Sequence, residues 1–297
     1  LNGASDYKGA RFHTARWPAD LDLADKNVAI IGTGASAMQI VPEIADRVAS
    51  LTIYQRSAQW VRPIPRYQDA IPGGAKWLLK HLPLYASWYR FTMLWRYGDG
   101  LLPSLRIDPD WPHPERSLNR ANDRHREDMT RHMEQELAGR PDLIEKCLPS
   151  YPPYGKRILL DNSWFKTLLG ENVSLVTQGI DCLDETGIRT ADGQHRAADV
   201  IVYSTGFKMT EMASRLNISG RGGPQLADVW ADENLTAYLG ITVPEFPNFF
   251  IMQGPNTGLG HGGSAIFQAE CQANYIAGCL ENIFANDLVS MDVKPEP

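Results

Sequence analysis

The sequence has 297 residues, which is long enough for one large domain or two ordinary ones. It is 43% hydrophobic and 22% charged, as is typical of soluble globular proteins. The formal net charge is −6, with no basic tail and no run of five like charges, which argues against a nucleic-acid partner.

The N-terminal segment 1–26 is rich in turn formers, and no charged-then-apolar leader follows Leu1, so we expect no signal peptide. The four cysteines, Cys147, Cys182, Cys271 and Cys279, form no C-x-x-C pair. We expect reduced thiols in a cytoplasmic protein, without a metal site. The sequence does not determine an oligomeric state.

The next residues predict one βαβ unit. Asn27–Ile31 is an apolar run of the length of a buried parallel strand, and a glycine-rich turn follows it at once. Apolar residues then recur at helical spacing from Met38 to Val48, and 51–54 reads as a second strand.

The turn has the spacing Gly32-x-Gly34-x-x-Ala37 between a predicted strand and a predicted helix. Gly32 allows the tight turn, Gly34 allows a pyrophosphate to approach the backbone, and Ala37 allows close helix packing. We therefore expect the run 32–37 to bind a dinucleotide at the helix N-terminus. Its residues are Gly32, Thr33, Gly34, Ala35, Ser36 and Ala37.

Two other interpretations of this turn stay open. It can be a tight connection without a ligand, or a nucleophile elbow of an α/β-hydrolase with Ser36 as nucleophile. The elbow pattern G-x-S-x-G would need glycine where Met38 stands.

The end of the second strand indicates which dinucleotide binds. NAD-specific sites place Asp or Glu there for the ribose hydroxyls, but no carboxylate lies between Leu51 and Gln59. Arg56 and Ser57 stand there instead, and a guanidinium and a hydroxyl suit a 2′-phosphate. This favours NADP over NAD, unless Arg56 is an ordinary surface arginine.

Prolines and aromatic residues interrupt the pattern from about 62 to 150, which we interpret as a helical insertion with one charged helix at 115–138. The most apolar window, 77–95, contains Lys80, His81, Pro83 and Arg90 and therefore cannot span a bilayer. We expect an interior helix there, in preference to peripheral membrane contact.

The α/β pattern returns after Gly155. The predicted elements are a strand at 157–160, a helix at 163–169, a strand at 173–176, a turn at Asp192-Gly193, a strand at 199–203 closed by Ser204-Thr205-Gly206, a strand at 248–252, a glycine-rich turn at 254–263 and a helix at 264–284.

Several runs follow the order of known family motifs. Tyr7-x-Gly9-x-x-x-His13-x-x-x-Trp17-Pro18 resembles the fingerprint F-x-G-x-x-x-H-x-x-x-W of type I Baeyer–Villiger monooxygenases, in which it precedes the NADPH turn. Gln55-Arg-Ser57, Gly155-Lys-Arg157, Ser204-Thr-Gly-Phe207 and the run from Gly254 to His261 are similar to later family motifs. The sequences of 12–18 and 151–157 are most similar to those of the 4-hydroxyacetophenone monooxygenase branch.

The sequence also departs from the family pattern. Tyr7 replaces phenylalanine, Ser204 replaces alanine, and Gly262-Gly263 replaces Asn-Ser. The family's first FAD-binding glycine motif and its C-terminal mobile segment have no counterpart here, so we expect a fragment that is inactive alone.

The resemblance implies an α/β fold with FAD and NADP(H) as cofactors. Its expected parts are a fingerprint linker at 1–26, an NADP-binding Rossmann domain at 27–68 and 151–207, a helical insertion at 69–150, and the C-terminal part of a second, FAD-binding Rossmann-like domain at 208–297. The expected reaction uses O₂ and NADPH to insert oxygen beside a ketone carbonyl, giving an ester or lactone, with thioether oxidation as a side activity.

Site residues follow from the same resemblance. It places the family's active-site arginine at Arg157 and its 2′-phosphate lysine at Lys156. Tyr7, Gly9, His13, Trp17 and Pro18 are expected to form an interdomain hinge. Further cofactor contacts are expected from Thr205, Gly206, Asn256, Thr257 and Gly258. An NADPH-dependent flavin reductase and a non-catalytic NADP-binding module remain the alternatives.

Overall fold

The computed structural model describes residues 1–65, 69–208, 216–231, 234–258, 260 and 262–295. The chain folds into two compact units. The first comprises Leu1–Pro83 with Leu102–Gly206, and the second comprises Leu84–Leu101 with Phe207–Pro297.

The described residues form short strands and helices of both units. The strands are β1 (Ala10–His13), β2 (Asn27–Ile31), β3 (Ser50–Tyr54), β4 (Val61–Arg62), β5 (Leu159–Leu160), β6 (Val173–Val176), β7 (Ile180–Leu183), β8 (Gly187–Thr190), β9 (His195–Ala197) and β10 (Val200–Tyr203). The helices are α1 (Ala35–Ile44), α2 (Gly73–His81), α3 (Tyr85–Tyr97), α4 (Arg120–Glu136), α5 (Pro141–Cys147), α6 (Trp164–Thr167), α7 (Leu226–Val229) and α8 (Ala265–Ala285), with 3₁₀ turns at Thr14–Arg16, Ala45–Arg47 and Leu102–Leu105.

A five-stranded, fully parallel sheet forms the centre of the first unit, in the order β1-β10-β2-β3-β6. The antiparallel strands β7, β8 and β9 form a separate three-stranded sheet, and β4 pairs with β5. A mixed α/β architecture around a parallel sheet confirms the predicted fold class.

Alternate residues of the central strands supply two cores, because successive side chains point to opposite faces of a sheet. Val28 and Ile30 of β2 belong to the core that includes α1 and α6. Ala29 and Ile31 belong to the core on the other face, which includes Ile188 of β8. The sheet is therefore covered on both faces, as parallel sheets require.

The predicted strand Asn27–Ile31 is observed as β2, the predicted helix at 264–284 as α8, and the predicted helix at 115–138 as the shorter α4. The strand β1 was not predicted, because 1–26 was interpreted as an irregular segment. Ala10–His13 is half exposed and pairs only with β10, so its strand conformation depends on a partner about 190 residues away.

The expectation of an interior helix at 77–95 is wrong. Pro83 cannot continue a helix, and the run is divided into α2 and α3. Neither helix has a buried residue, and Trp77, Trp88 and Trp95 are more than half exposed. Within the described ranges, no helix combines the length and apolarity needed to cross a bilayer.

The second unit is built around a small core of Leu226, Trp230, Val243 and Phe246. Arg90 of α3 forms an ion pair with Glu270 of α8. The prediction of a strand at 248–252 is wrong. Asn248 adopts φ +61°. The Ile251 amide donates to the Ile241 carbonyl, but this hydrogen bond is not part of a strand ladder among the described residues. A left-handed residue at its start and no paired neighbour prevent this apolar run from forming a strand.

Candidate functional site

The carboxyl ends of three neighbouring strands bring the predicted cofactor residues of the first unit to one edge of the sheet. Gly32 follows β2, Gln55 follows β3, and Ser204 follows β10. In open parallel sheets, ligands bind in the crevice outside this edge.

Gly32 needs to be glycine for two measurable reasons. Its φ of +111° is a conformation that other residues rarely adopt. A Cβ at this position would also lie 2.4 Å from the Ser204 carbonyl oxygen. The Gly32 amide donates to the Tyr54 carbonyl at 2.9 Å, so the turn is bonded to the end of β3.

The fold itself does not require glycine at position 34. Gly34 precedes the first turn of α1 in extended conformation, and a Cβ there would have no atom within 4 Å. The next two residues, Ala35 and Ser36, are exposed, whereas Thr33 and Ala37 are buried. The first amides of a helix have no intrahelical partner, so an open, side-chain-free approach leads to anion-binding N–H groups.

The predicted 2′-phosphate residues lie together after β3. Lys156 Nζ donates to Ser57 Oγ at 2.5 Å, although the two residues are 99 positions apart. Thr33 Oγ1 donates to the Ser57 carbonyl at 3.4 Å, which connects this loop to the glycine turn. The guanidinium of Arg56 is exposed and has no ion-pair partner among the residues described. Three groups suited to a phosphate therefore cluster beside the turn.

Arg157 is exposed and directly follows Lys156 in a loop that leads into β5. The strand pairing of β5 with β4 is extended by the Leu159 amide, which donates to the Trp60 carbonyl at 2.9 Å. Arg157 forms no hydrogen bond within the described part of the chain. Its guanidinium is therefore available to a ligand.

The loop before Lys156 is held by Tyr154, which adopts φ +69°. Arg62 Nη2 donates to the Tyr154 hydroxyl at 2.9 Å, and the hydroxyl lies 2.9 Å from Nδ1 of His125. The hydroxyl therefore accepts a hydrogen bond from Arg62 and shares another with the His125 ring. Residues from β4 and α4 thus fix a strained turn beside the lysine and arginine.

This contact makes the stability of the fold depend on the charge of His125. Burial lowers the pKa of His125, and the positive charge of Arg62 lowers it further. The unfolded chain, with an ordinary histidine pKa of about 6.5, then binds more protons in mild acid. The stabilisation is present above pH 6.5 and is lost as the pH falls from there towards the lower folded pKa.

We expect His125→Gln to lose less of its free energy of unfolding than the wild type between pH 8 and pH 5.5, because glutamine does not titrate. Urea unfolding at the two pH values measures this difference. His113→Gln, which changes an exposed histidine, serves as the control and should behave like the wild type. Equal acid losses in wild type and His125→Gln would contradict the assignment.

The fingerprint residues are packed against β10 and its flanks. The Tyr7 hydroxyl is buried and donates to the Ala198 carbonyl at 2.8 Å, and burial raises the pKa of Tyr7 to about 12. A Cβ on Gly9 would lie 2.2 Å from that hydroxyl and 2.6 Å from the Asp199 carbonyl oxygen. The spacing Tyr-x-Gly therefore has a packing reason.

His13 connects the fingerprint to the loop after β10. Its Nδ1 accepts from the Ala15 amide at 3.1 Å, so Nε2 carries the proton and donates to the Gly206 carbonyl at 3.0 Å. Phe12 packs edge-on against Trp17 with ring centroids 5.0 Å apart. Gly206 has φ +85°, and the neighbouring Thr205 is exposed.

Pro18 is exposed and closes a turn, because its carbonyl accepts from the Leu21 amide at 3.5 Å. The hinge role of the fingerprint residues stays a prediction.

The predicted flavin contacts lie in the second unit. Asn256 adopts φ +61° and donates to the Leu235 carbonyl at 3.3 Å, while the Thr257 hydroxyl donates to the Gly254 carbonyl at 2.7 Å. A Cβ on Gly258 would have no atom within 4 Å. Leu259 and His261 of the same motif lie outside the described residues.

Sequence reasoning missed three residues of the site: Tyr151, Tyr154 and His125. The two tyrosines flank the Pro-Pro pair of the run 151–157, which was used only as a family signature. The Pro-Pro pair and the following glycine indicate a turn, and that signal could have drawn attention to the two tyrosines. His125 had no such signal, because it lies 29 positions from its partner.

The comparisons with known sequences agree on one class of enzyme. No protein-family model matches the chain. An uncharacterized monooxygenase of Sinorhizobium fredii is 44% identical over 296 residues, which are 100% of this chain and 45% of that protein. A Baeyer–Villiger monooxygenase of Pseudomonas aeruginosa is 34% identical over 299 residues, covering 99% of this chain and 53% of that protein.

The chain spans about half the length of the curated relatives it matches. Among solved structures, oxidized steroid monooxygenase bound to NADP has a TM-score of 0.77 and 28% identity, covering 100% of this chain and 61% of that one. An open structure of cyclohexanone monooxygenase has a TM-score of 0.80 at 23% identity, which shows the shared fold. The homologues of this chain are therefore Baeyer–Villiger and FAD-binding monooxygenases, and its α/β fold with a parallel sheet matches that of solved monooxygenases of this class.

Proposed function

We propose that the chain binds NADPH and belongs to an FAD-dependent monooxygenase that inserts one oxygen atom of O₂ beside a ketone carbonyl, giving an ester or lactone. The observation that carries the proposal is the contact of Lys156 Nζ with Ser57 Oγ beside an open, glycine-lined helix N-terminus. A pyrophosphate and a 2′-phosphate need these two kinds of group at one sheet edge. The NADP-bound steroid monooxygenase of the same fold supports this choice of cofactor.

Each part of the edge has a separate task. The first turn of α1 offers backbone amides to the pyrophosphate, and the missing side chain of Gly34 lets the phosphates approach. Arg56, Ser57 and Lys156 hold the 2′-phosphate by charge and hydrogen bonds. The buried Ala37 lets α1 pack against the sheet.

FAD, when bound, supplies the redox chemistry that accepts a hydride and activates O₂. In the second unit, Asn256, Thr257 and Gly258 fit a flavin because their turn is fixed by its own hydrogen bonds and leaves open space beside Gly258. Arg157 presents a planar guanidinium with several donors, which would stabilise negative charge that develops on oxygen once the flavin is bound.

The substrate is a small ketone, and thioether oxidation is a side activity of the same site. The sequences of 12–18 and 151–157 support a place for this chain in the 4-hydroxyacetophenone monooxygenase branch. NADPH oxidation by flavin-loaded protein without an oxygenated product would indicate the alternative, a reductase.

Arg56→Ala is expected to weaken NADPH binding roughly tenfold to a hundredfold, which corresponds to the loss of a charge-assisted hydrogen bond. NADH affinity should stay unchanged, because NADH has no 2′-phosphate. Calorimetric titration of the chain with both coenzymes measures the two dissociation constants.

Arg47→Ala is a matched control for this experiment. Arg47 is also an exposed arginine, but it precedes β3 and so lies at the opposite edge of the sheet. Its replacement should leave both affinities at wild-type values. An Arg56→Ala protein that keeps the wild-type NADPH-to-NADH ratio would refute the 2′-phosphate site.

A further inference from the structure

An aromatic ring lies beneath the charged end of Lys156. The Nζ atom is 4.8 Å from the centroid of the Tyr151 ring, a distance at which an ammonium is attracted by the ring face. The same atom donates to Ser57 Oγ at 2.5 Å. An ammonium has three donors, so these two contacts orient it and leave capacity for an anion.

Both the ring and the backbone of Tyr151 are held in place. Its hydroxyl donates to the Ala58 carbonyl at 2.9 Å, and Trp60 Nε1 donates to the Tyr151 carbonyl at 2.8 Å. A Cβ on Gly155 would lie 3.1 Å from the ring, so the loop closes tightly over it. Burial raises the pKa of Tyr151 to about 12, so the hydroxyl stays a donor.

These contacts join the lysine to the loop after β3. Ala58 directly follows Ser57, and Trp60 lies two residues further on. Tyr151 therefore sets the position of Lys156 relative to Ser57, although the lysine is on a loop and has a flexible four-carbon stem. Without the ring, the contact with the Ser57 hydroxyl would be the one interaction among the described residues that holds the ammonium there.

We propose that Tyr151 is a specificity-determining positioning residue, which holds the Lys156 ammonium at the 2′-phosphate and so contributes to the preference for NADPH over NADH. The inference rests on the proposed function of this edge as an NADPH site. It assigns Tyr151 an effect on one coenzyme only, since NADH offers the ammonium no phosphate at this position.

The test compares the dissociation constants of NADPH and NADH by calorimetry in the wild type and in variants at the two positions. Tyr151→Leu should weaken NADPH binding roughly two- to fivefold and leave NADH binding unchanged. Tyr151→Phe keeps a ring face and loses the hydroxyl's contacts with the Ala58 carbonyl and with Gln59 Oε1, so it should retain most of the NADPH preference. Its thermal unfolding midpoint, compared with that of the wild type, reports the cost of the lost hydroxyl separately.

A double-mutant cycle identifies the route of the effect. In a Lys156→Met background, Tyr151→Leu should not change the coenzyme ratio further, because the ammonium is already absent. An additional loss in that background would overturn the inference, as would an unchanged ratio in Tyr151→Leu.

Equal weakening of NADPH and NADH in Tyr151→Leu would also overturn it, because a merely structural role affects both coenzymes. A wild type that does not prefer NADPH would refute the proposed function together with this inference. A wild-type preference for NADPH that is undiminished in Tyr151→Leu would refute the inference alone.

Discussion

Gly32→Ala is expected to lower the free energy of unfolding by about 2–5 kcal/mol, while Gly34→Ala changes it by less than about 1 kcal/mol. Position 32 has φ +111°, and a Cβ there would lie 2.4 Å from the Ser204 carbonyl oxygen. Position 34 has φ −77°, and a Cβ there has no atom within 4 Å. Urea unfolding of both variants measures the two effects.

For coenzyme binding, in contrast to stability, we expect Gly34→Ala to have a large effect. Gly34→Ala folds, but its methyl group stands in the approach of the pyrophosphate, so affinity for NADPH and NADH should fall together, by roughly tenfold to a hundredfold. Wild-type affinity in a folded Gly34→Ala protein would mean that the glycine turn is structural and holds no dinucleotide. Substitution of Gly32 therefore tests folding, and substitution of Gly34 tests coenzyme binding.

Arg157→Ala is expected to reduce formation of the oxygenated product by roughly a hundredfold to a thousandfold, the usual effect of removing a preorganised donor to developing negative charge. NADPH affinity should stay within about twofold of wild type, an estimate from the small change expected when no direct contact is lost. The measurement is product formed per NADPH consumed, with a ketone substrate, in a flavin-loaded full-length protein that contains this chain.

Arg157→Lys is the informative companion, because it keeps a positive charge but loses the planar donor fork. An intermediate product yield in Arg157→Lys would indicate that both charge and geometry matter. Ester formation by Arg157→Ala at near the wild-type rate would show that the arginine is not part of the reaction.

Only part of the candidate site could be predicted from local sequence patterns. The turn 32–37 could be predicted because strand, glycines and helix are adjacent, and each residue requirement there is a local one. The contact of Lys156 with Ser57 was expected only through the family resemblance, since no local pattern joins residues 99 positions apart. The cation–π contact of Tyr151 was not expected at all, because it depends on how a loop closes around Gly155.

The sequence by itself determined the parallel βαβ unit and the glycine turn, because hydrophobic periodicity and the absence of side chains act over a few residues. The proposed preference for NADPH over NADH also came from the sequence, because it depends on the residue types directly after the second strand. Only the tertiary structure decided that Ala10–His13 is a strand and that 248–252 is not, because a strand exists only with a paired neighbour. It also decided that Arg62, Tyr154 and His125 meet, because three elements must pack before their hydrogen bonds can form.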